Sequence, residues 1–308
     1  MFSVTRLTIG ESRLELREEL LTGYRCKIAP SRLNRRLDTL YRPPSPAPDC
    51  PFCRENIFSA TPTFAGGGRI CVGESVTFPN MFPYAEWHTV TVVTARHDGG
   101  TFSRSEILDA LTGQIRAFEG IEGYKSINWN YLSSAGASIA HPHIQGLAGQ
   151  RAPALAEHYL LQGARYMTRT GRSYWDDLAD YEGNSPRFMF KNELFWYAHH
   201  VPLGEREVRC ILPISTCEEF SSYTGPFVDG LLRVLSFYRD LGTYAFNMAL
   251  FFDKSKNRNG FSSFCSIISR INPNATSTSD TAFMERLHFE PVILTLPEKF
   301  GQDFKDRG

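Results

Sequence analysis

Residues 128–145 read NWNYLSSAGASIAHPHIQ, and the last five, His141-Pro142-His143-Ile144-Gln145, are the most informative in the chain. The spacing predicts strands over 126–132 and 141–147, separated by a loop rich in Ser, Ala and Gly. On a strand alternate residues share a face, so His141, His143 and Gln145 point the same way. Two imidazoles and an amide on one face cost too much desolvation to serve only as core filler. The bland alternative is a polar strand edge with chance histidines.

Upstream, Cys50-Pro51-Phe52-Cys53 is a metal half-site, because two thiolates in a tight turn can reach one zinc. Such a site needs two more ligands. His97 ends one expected strand (87–97, WHTVTVVTARH) and His141 begins another, so a filled Cys2His2 structural site is available. The competitor is a redox Cys-x-x-Cys, but no thioredoxin-like βαβ context surrounds it. Arg25, Lys27, Arg32, Arg35 and Arg36 form a basic cluster in which Asp38 is the only acidic neighbour. Guanidinium forks suit phosphate oxygens, and the alternative is a solvated stripe.

At 308 residues the chain has length for about two domains, and 42% hydrophobic with 21% charged residues is ordinary globular composition. Lys+Arg and Asp+Glu are both 33, so no global basic field favours nucleic acid. No apolar run suits a membrane span, and the charged start does not read as a signal peptide. Seven sparse cysteines, an odd number, point to reduced thiols and an intracellular, cytoplasmic protein. The proline-rich stretch RPPSPAPD (42–49) must be extended. Ser103 and Glu106 form a capping box before a helix carrying Ile107, Leu111, Ile115 and Phe118, and 153–167 reads as helix. Polar 172–187 reads as a linker. Beyond it, strands at 193–199, 207–212, 244–252 and 262–269 and a helix at 225–241 loosely repeat the earlier order. The fold class is therefore α+β: two related halves around a largely antiparallel sheet flanked by helices, divided as 1–170, linker 171–187 and 188–308.

LTGYRCKIAPSRLNRR, CPFC, FPNMFPYAEWHTVTVVTARHD and NWNYLSSAGASIAHPHIQ resemble, in order and spacing, the galactose-1-phosphate uridylyltransferase family of the histidine-triad superfamily. The resemblance is specific over 21–148 and thinner afterwards. It implies a histidine-triad-like fold and nucleotidyl transfer between a nucleotide sugar and a phosphate-bearing acceptor, by ping-pong through a nucleotidyl-histidine. His143 matches the nucleophile. Gln145 and Ser138 match residues that contact the phosphoryl group. Asn80, Phe82 and Asn130 fall in the nucleotide pocket, Arg32 and Arg35 match a phosphate-holding pair, and Glu290 matches a glutamate on sugar hydroxyls. One structural zinc per chain is implied at Cys50, Cys53, His97 and His141. The partners are a nucleotide sugar or related nucleotide, a sugar phosphate or inorganic phosphate, and a second copy in a homodimer, with no nucleic acid and no membrane.

Some positions depart from the family. Met81 replaces an aspartate, Ile139 and Ala140 replace Asn-Pro, Met284 replaces a lysine, and SSFCSIISR (262–270) places Ser263 and Cys265 where relatives carry a second His-x-His. These changes point away from galactose 1-phosphate as acceptor and from a second metal site. Two other readings remain: a phosphorylase or hydrolase of nucleotide sugars or dinucleoside polyphosphates, and a non-catalytic zinc-stabilised nucleotide-binding protein. His88, His158, His199, His200 and His288 are read as surface or satisfied core histidines.

Overall fold

A computed structural model describes residues 1–34, 49–97, 100–256, 260–271 and 279–307. In chain order it contains β1 (Phe2–Ile9), β2 (Ser12–Glu19), β3 (Arg25–Ile28), α1 (Ile57–Ala60), β4 (Ile70–Val72), β5 (Ser75–Pro79), β6 (Trp87–Val92), α2 (Arg104–Ala117), β7 (Tyr124–Tyr131), β8 (His143–Gly149), α3 (Ala154–Thr170) and α4 (Tyr174–Gly183). Then follow β9 (Phe188–Lys191), β10 (Phe195–Ala198), β11 (Val208–Ile211), α5 (Cys217–Phe220), α6 (Thr224–Asp240), β12 (Phe246–Phe252), β13 (Phe264–Ser269), β14 (Val292–Ile293) and α7 (Pro297–Arg307). Arg35 and the proline-rich 42–48 lie outside the described residues.

The repeat expected from the pattern is visible in the strand order. One sheet runs β4-β5-β6-β8-β7-β12-β13-β11-β10-β9, so each half contributes five strands in the same order, mirrored across the β7–β12 pair. All its strand pairings are antiparallel. In each half a long helix, α2 or α6, follows the third strand and precedes the last two.

Directly opposed residues share a face, so register decides what each face carries. One face holds Ile127, Trp129, Ile144, Met248, Leu250, Cys265 and Ile267 in the main core, with Leu111 of α2 and Phe227, Leu231 and Leu235 of α6. The expected Ser103–Glu106 capping box closes the start of α2. Gly146 lets that helix approach β8 closely: a Cβ there would meet the Gln114 amide at 1.9 Å. Gln114 is fully buried and bonds Thr89 and Thr91 of β6, which locks helix to strand.

The opposite face is covered differently in the two halves. Over the second half lie α3 and α4, with Tyr159, Tyr174, Trp175 and Leu178 packed on Phe195, Tyr197, Phe251 and Phe264. Over the first half lies the Cys50–Ile57 segment, where Cys50, Phe52 and Ile57 pack on Val76, Phe78, Val90 and Val92. That cover builds the site.

The structure corrects one expectation here and adds a second sheet. The stretch 172–187 is no bare linker: α4 forms within it, started by Ser173 accepting from the Trp175 main-chain N–H, and it buries Tyr174, Trp175, Leu178 and Glu182. The N-terminal segment also forms a second sheet, β1-β2-β3-β14. Buried ion pairs tie it to the body. Arg17 bonds Glu15 and Glu298 at 2.6 and 2.9 Å, and Arg187 bonds Glu182 and Glu298 at 2.9 and 2.7 Å. Glu19 accepts from the Tyr159 hydroxyl at 2.8 Å and lies 3.6 Å from His200. Burial pushes its carboxyl up, but His200, Arg209 and Thr22 outweigh that and hold it at about 2.

Replacing Trp175 by Ala should cost about 3–5 kcal/mol, as for other buried aromatic truncations. Urea unfolding checks this. An unchanged midpoint would mean that α4 only tethers the halves.

Candidate functional site

Cys50 and Cys53 are held in a tight turn, with Cys53 N donating to Cys50 O at 3.3 Å and Asn56 Nδ2 donating to the same oxygen at 3.0 Å. The strand expected over 87–97 ends at Val92, yet Val93 N still donates to Pro142 O at 3.0 Å, so the chain stays beside the start of β8 as it leads to His97. Strand β8 likewise begins at His143 rather than 141. Pro142 has no N–H to give a ladder.

The result is a four-residue cluster. One ligand atom from each of Cys50, Cys53, His97 and His141 lies within 4.8 Å of the others. Cys53 Sγ is 2.9 Å from His97 Nε2, and Cys50 Sγ is 3.8 Å from His141 Nδ1. His141 is fully buried and its Nε2 lies 2.7 Å from Thr94 O. A carbonyl only accepts, so the ring proton belongs on Nε2 and the Nδ1 lone pair faces Cys50. Burial keeps this imidazole neutral by pushing its pKa down to about 4. Burial and then the adjacent Cys50 push the Cys53 thiol up. Two thiols and two imidazoles with the tautomer already set fit a tetrahedral metal such as zinc.

His143 follows two residues later. It is 5% exposed, and its Nδ1 lies 2.8 Å from the main-chain oxygen of His141. By the same logic Nδ1 carries the proton and Nε2 keeps its lone pair. Burial lowers the His143 pKa, against the bond to the His141 carbonyl, so a neutral ring is available as a nucleophile. The Phe52 ring of the Cys50–Cys53 turn stands edge-on to His143 at 5.2 Å.

Of the expected residues, Gln145 and Asn130 share the sheet face of His143, and Asn80 joins them through His88. Gln145 is half-buried beside His88, whose Nε2 is 2.8 Å from Gln145 Oε1. Asn80 Oδ1 accepts from Phe82 N at 2.8 Å, and Phe82, with Met81 and Tyr84, forms an exposed apolar rim. Asn130 Oδ1 accepts from Asn247 Nδ2 at 2.7 Å. Ser138 is exposed in the β7–β8 loop, where Leu132 holds a φ of 69°.

Others sit apart. Arg32 is exposed in a turn and lines a cleft of about 750 Å³ with Glu205, Asn247 and Arg270. Asn247 links that cleft to Asn130. Glu290 pairs with Arg25 at 2.9 Å and with Lys27, and the Lys27 bond is the main cause holding its carboxyl below the usual range. That pairing engages two members of the basic cluster.

Further corrections concern histidines and register. His88, given no role from the sequence, touches Gln145. His199 and His200 are buried near Glu19, and these three could also be read as metal ligands. However, His199 Nδ1 accepts from Val201 N at 2.9 Å, so the ring proton sits on Nε2 and leaves no lone pair there. In the second half, His143 opposes Val92 as Phe264 opposes Ile211. By this register Phe264 and Ser266 occupy the places of His143 and Gln145, and Cys265 faces the main core.

No protein-family model matches the sequence. An uncharacterized protein of Archaeoglobus fulgidus is 25% identical over 274 residues, covering 83% of this chain and 81% of that one. Among solved structures, an ADP-glucose phosphorylase from Arabidopsis thaliana superposes with a TM-score of 0.75 at 15% identity, covering 95% of this chain and 99% of that one. A GalT-like protein from Arabidopsis thaliana gives 0.72 at 16% identity, with 94% and 98% covered. A uridylyltransferase gives 0.70 at 18% identity, with 94% and 97% covered. Over nearly its whole length this chain has the α+β fold of the phosphorylase and uridylyltransferase structures.

Proposed function

We propose that this protein is a nucleotidyltransferase that moves a nucleoside monophosphate from a nucleotide sugar or related nucleotide to a phosphate-bearing acceptor through His143. The observation that carries this reading is the His143 tautomer. Its Nδ1–H is committed to the His141 carbonyl, which leaves Nε2 to attack the α-phosphorus. The N–P bond forms as the bond to the bridging oxygen breaks, and the sugar phosphate leaves with that electron pair. The phosphorylated ring is cationic, and the carbonyl at Nδ1–H stabilises it. An acceptor phosphate oxygen then attacks phosphorus, the N–P bond breaks and neutral imidazole returns. In this reading Gln145, Ser138 and Asn130 donate to the phosphoryl oxygens, and Asn80 and Phe82 line the nucleotide pocket.

In the same reading, Cys50, Cys53, His97 and His141 hold one structural zinc, which supplies a cross-link between the Cys50–Cys53 turn and the start of β8. Arg32 and Arg35 hold the phosphate of the acceptor or leaving group. The proposal includes a homodimer, for which exposed Phe283, Leu287 and Phe289 offer an apolar seam. A role in carbohydrate metabolism in a reducing cytoplasm agrees with seven free cysteines. No helix among the described residues is long and apolar enough to cross a membrane.

One observation favours phosphorolysis as a second reading. Glu290 is engaged by Arg25 and Lys27, which suits an inorganic phosphate acceptor better than a sugar phosphate whose hydroxyls Glu290 would hold.

Intact mass at neutral pH after incubation with nucleoside diphosphate sugars should show a nucleotide on the wild type and none on His143→Ala, with zinc content equal in both. An adduct on His143→Ala would overturn the assignment. Elemental analysis should find about one zinc per chain, and Cys53→Ser should lower both zinc content and the thermal midpoint. Replacing Arg32 by Ala should cost about tenfold or more in kcat/KM for the phosphate acceptor, since charge-assisted bonds contribute about 1.5–3 kcal/mol. Hydrolysis of the adduct by water should change far less; equal losses would assign Arg32 to structural support.

A further inference from the structure

The amide of Gln145 has two ends of nearly equal shape and opposite chemistry. Its nitrogen can donate to a phosphoryl oxygen, and its oxygen would repel one. Something must decide which end faces His143.

His88 lies on β6, two residues before Val90, which directly opposes Gln145, so His88 and Gln145 are diagonal neighbours on one face. His88 is 5% exposed. Its Nδ1 accepts from the main-chain N–H of Tyr84 at 3.4 Å, so the neutral ring carries its proton on Nε2. Two groups approach that nitrogen: Gln145 Oε1 at 2.8 Å and Asn80 Nδ2 at 3.0 Å. Asn80 is fixed amide-nitrogen-first, because its oxygen accepts from Phe82 N. Only Gln145 Oε1 can take the His88 proton; Asn80 Nδ2, itself a donor, makes no hydrogen bond to the protonated Nε2. The Tyr84 hydroxyl donates to the same Oε1 at 3.0 Å, and its ring stands edge-on to His88 at 4.3 Å. Both lone pairs of Oε1 are thus filled, and the amide N–H groups must point elsewhere. Burial lowers the His88 pKa and favours the neutral ring on which this arrangement depends.

We propose that His88 is a positioning residue of the transfer reaction: with Tyr84 it pins Gln145 Oε1, so that the Gln145 amide N–H groups face the phosphoryl group on His143. The inference rests on the proposed transfer through His143. The amide has no freedom to flip during the reaction, so its donors are preorganised for the transition state.

The test is a double-mutant cycle read in single-turnover adduct formation. His88→Phe should slow the step about tenfold to a hundredfold with little change in KM, below the loss expected from deleting an oxyanion donor outright. In a Gln145→Ala background the same change should cost less than about threefold, because the group it positions is gone. His88→Gln, which can still donate to Oε1, should recover most of the rate. Tyr84→Phe alters an exposed side chain, so it serves should His88→Phe fail to fold, and its several-fold loss should vanish in the same background. Equal losses with and without Gln145, or no loss in either single variant, would overturn the role of His88. An active wild type with such a result leaves the transfer reading standing. A wild type that forms no adduct overturns both.

Discussion

His141 makes the contacts on which the rest of the site depends. Its Nε2 donates to Thr94 O, its Nδ1 faces Cys50, and its main-chain oxygen accepts the His143 proton. One residue therefore joins the sulfur–imidazole cluster to the tautomer of the next histidine on that face. A displaced His141 would lose the cluster and free the His143 ring to carry its proton on either nitrogen. Pro142 has no N–H to give to the neighbouring strand, so the regular strand begins only at His143.

The repeated architecture makes the asymmetry between halves informative. Both halves supply the same strands and a helix on the common core face, and they diverge on the other face. In the first half that face carries His143, Gln145 and Asn130 under a short cysteine turn. In the second, the equivalent strand carries Phe264 and Ser266, with Tyr159 and Trp175 packed edge-on and stacked on Phe264. Arg209 and Glu207, paired at 2.9 Å, fill the polar remainder. One half has kept chemistry, and the other has converted the same surface into core and buried ion pairs. Other pairs, Arg17 with Glu298 and Glu19 beside His200, dock the N-terminal sheet. Removing one partner of such a pair costs far more than the intact pair contributes, so the sheet position is well specified.

Much of this was legible in the residues. Alternation located β6, β7, β8, β10, β11, β12 and β13, the Ser103–Glu106 box located α2, and the spacing of His141, His143 and Gln145 put them on one face before any pairing was known. Three things escaped for physical reasons. Strand β2 buries Arg17 and Glu19, and charged residues read as solvated because their partners, Glu298 and Tyr159, are distant in sequence. Helix α4 was hidden by its polar surface residues around Trp175 and Leu178. The contact of His88 with Gln145 and the places of Phe264 and Ser266 depend on register, and a slip of one residue moves a strand's side chains to the other face.

The account stands on which nitrogen of His143 is free. Nitrogen–phosphorus coupling, measured by NMR on protein carrying isotope-labelled histidine after reaction with a nucleoside diphosphate sugar, tests this directly. The account predicts a bond from phosphorus to Nε2 of His143, with Nδ1 still protonated. A bond to Nδ1, or a nucleotide attached to another residue, would contradict it.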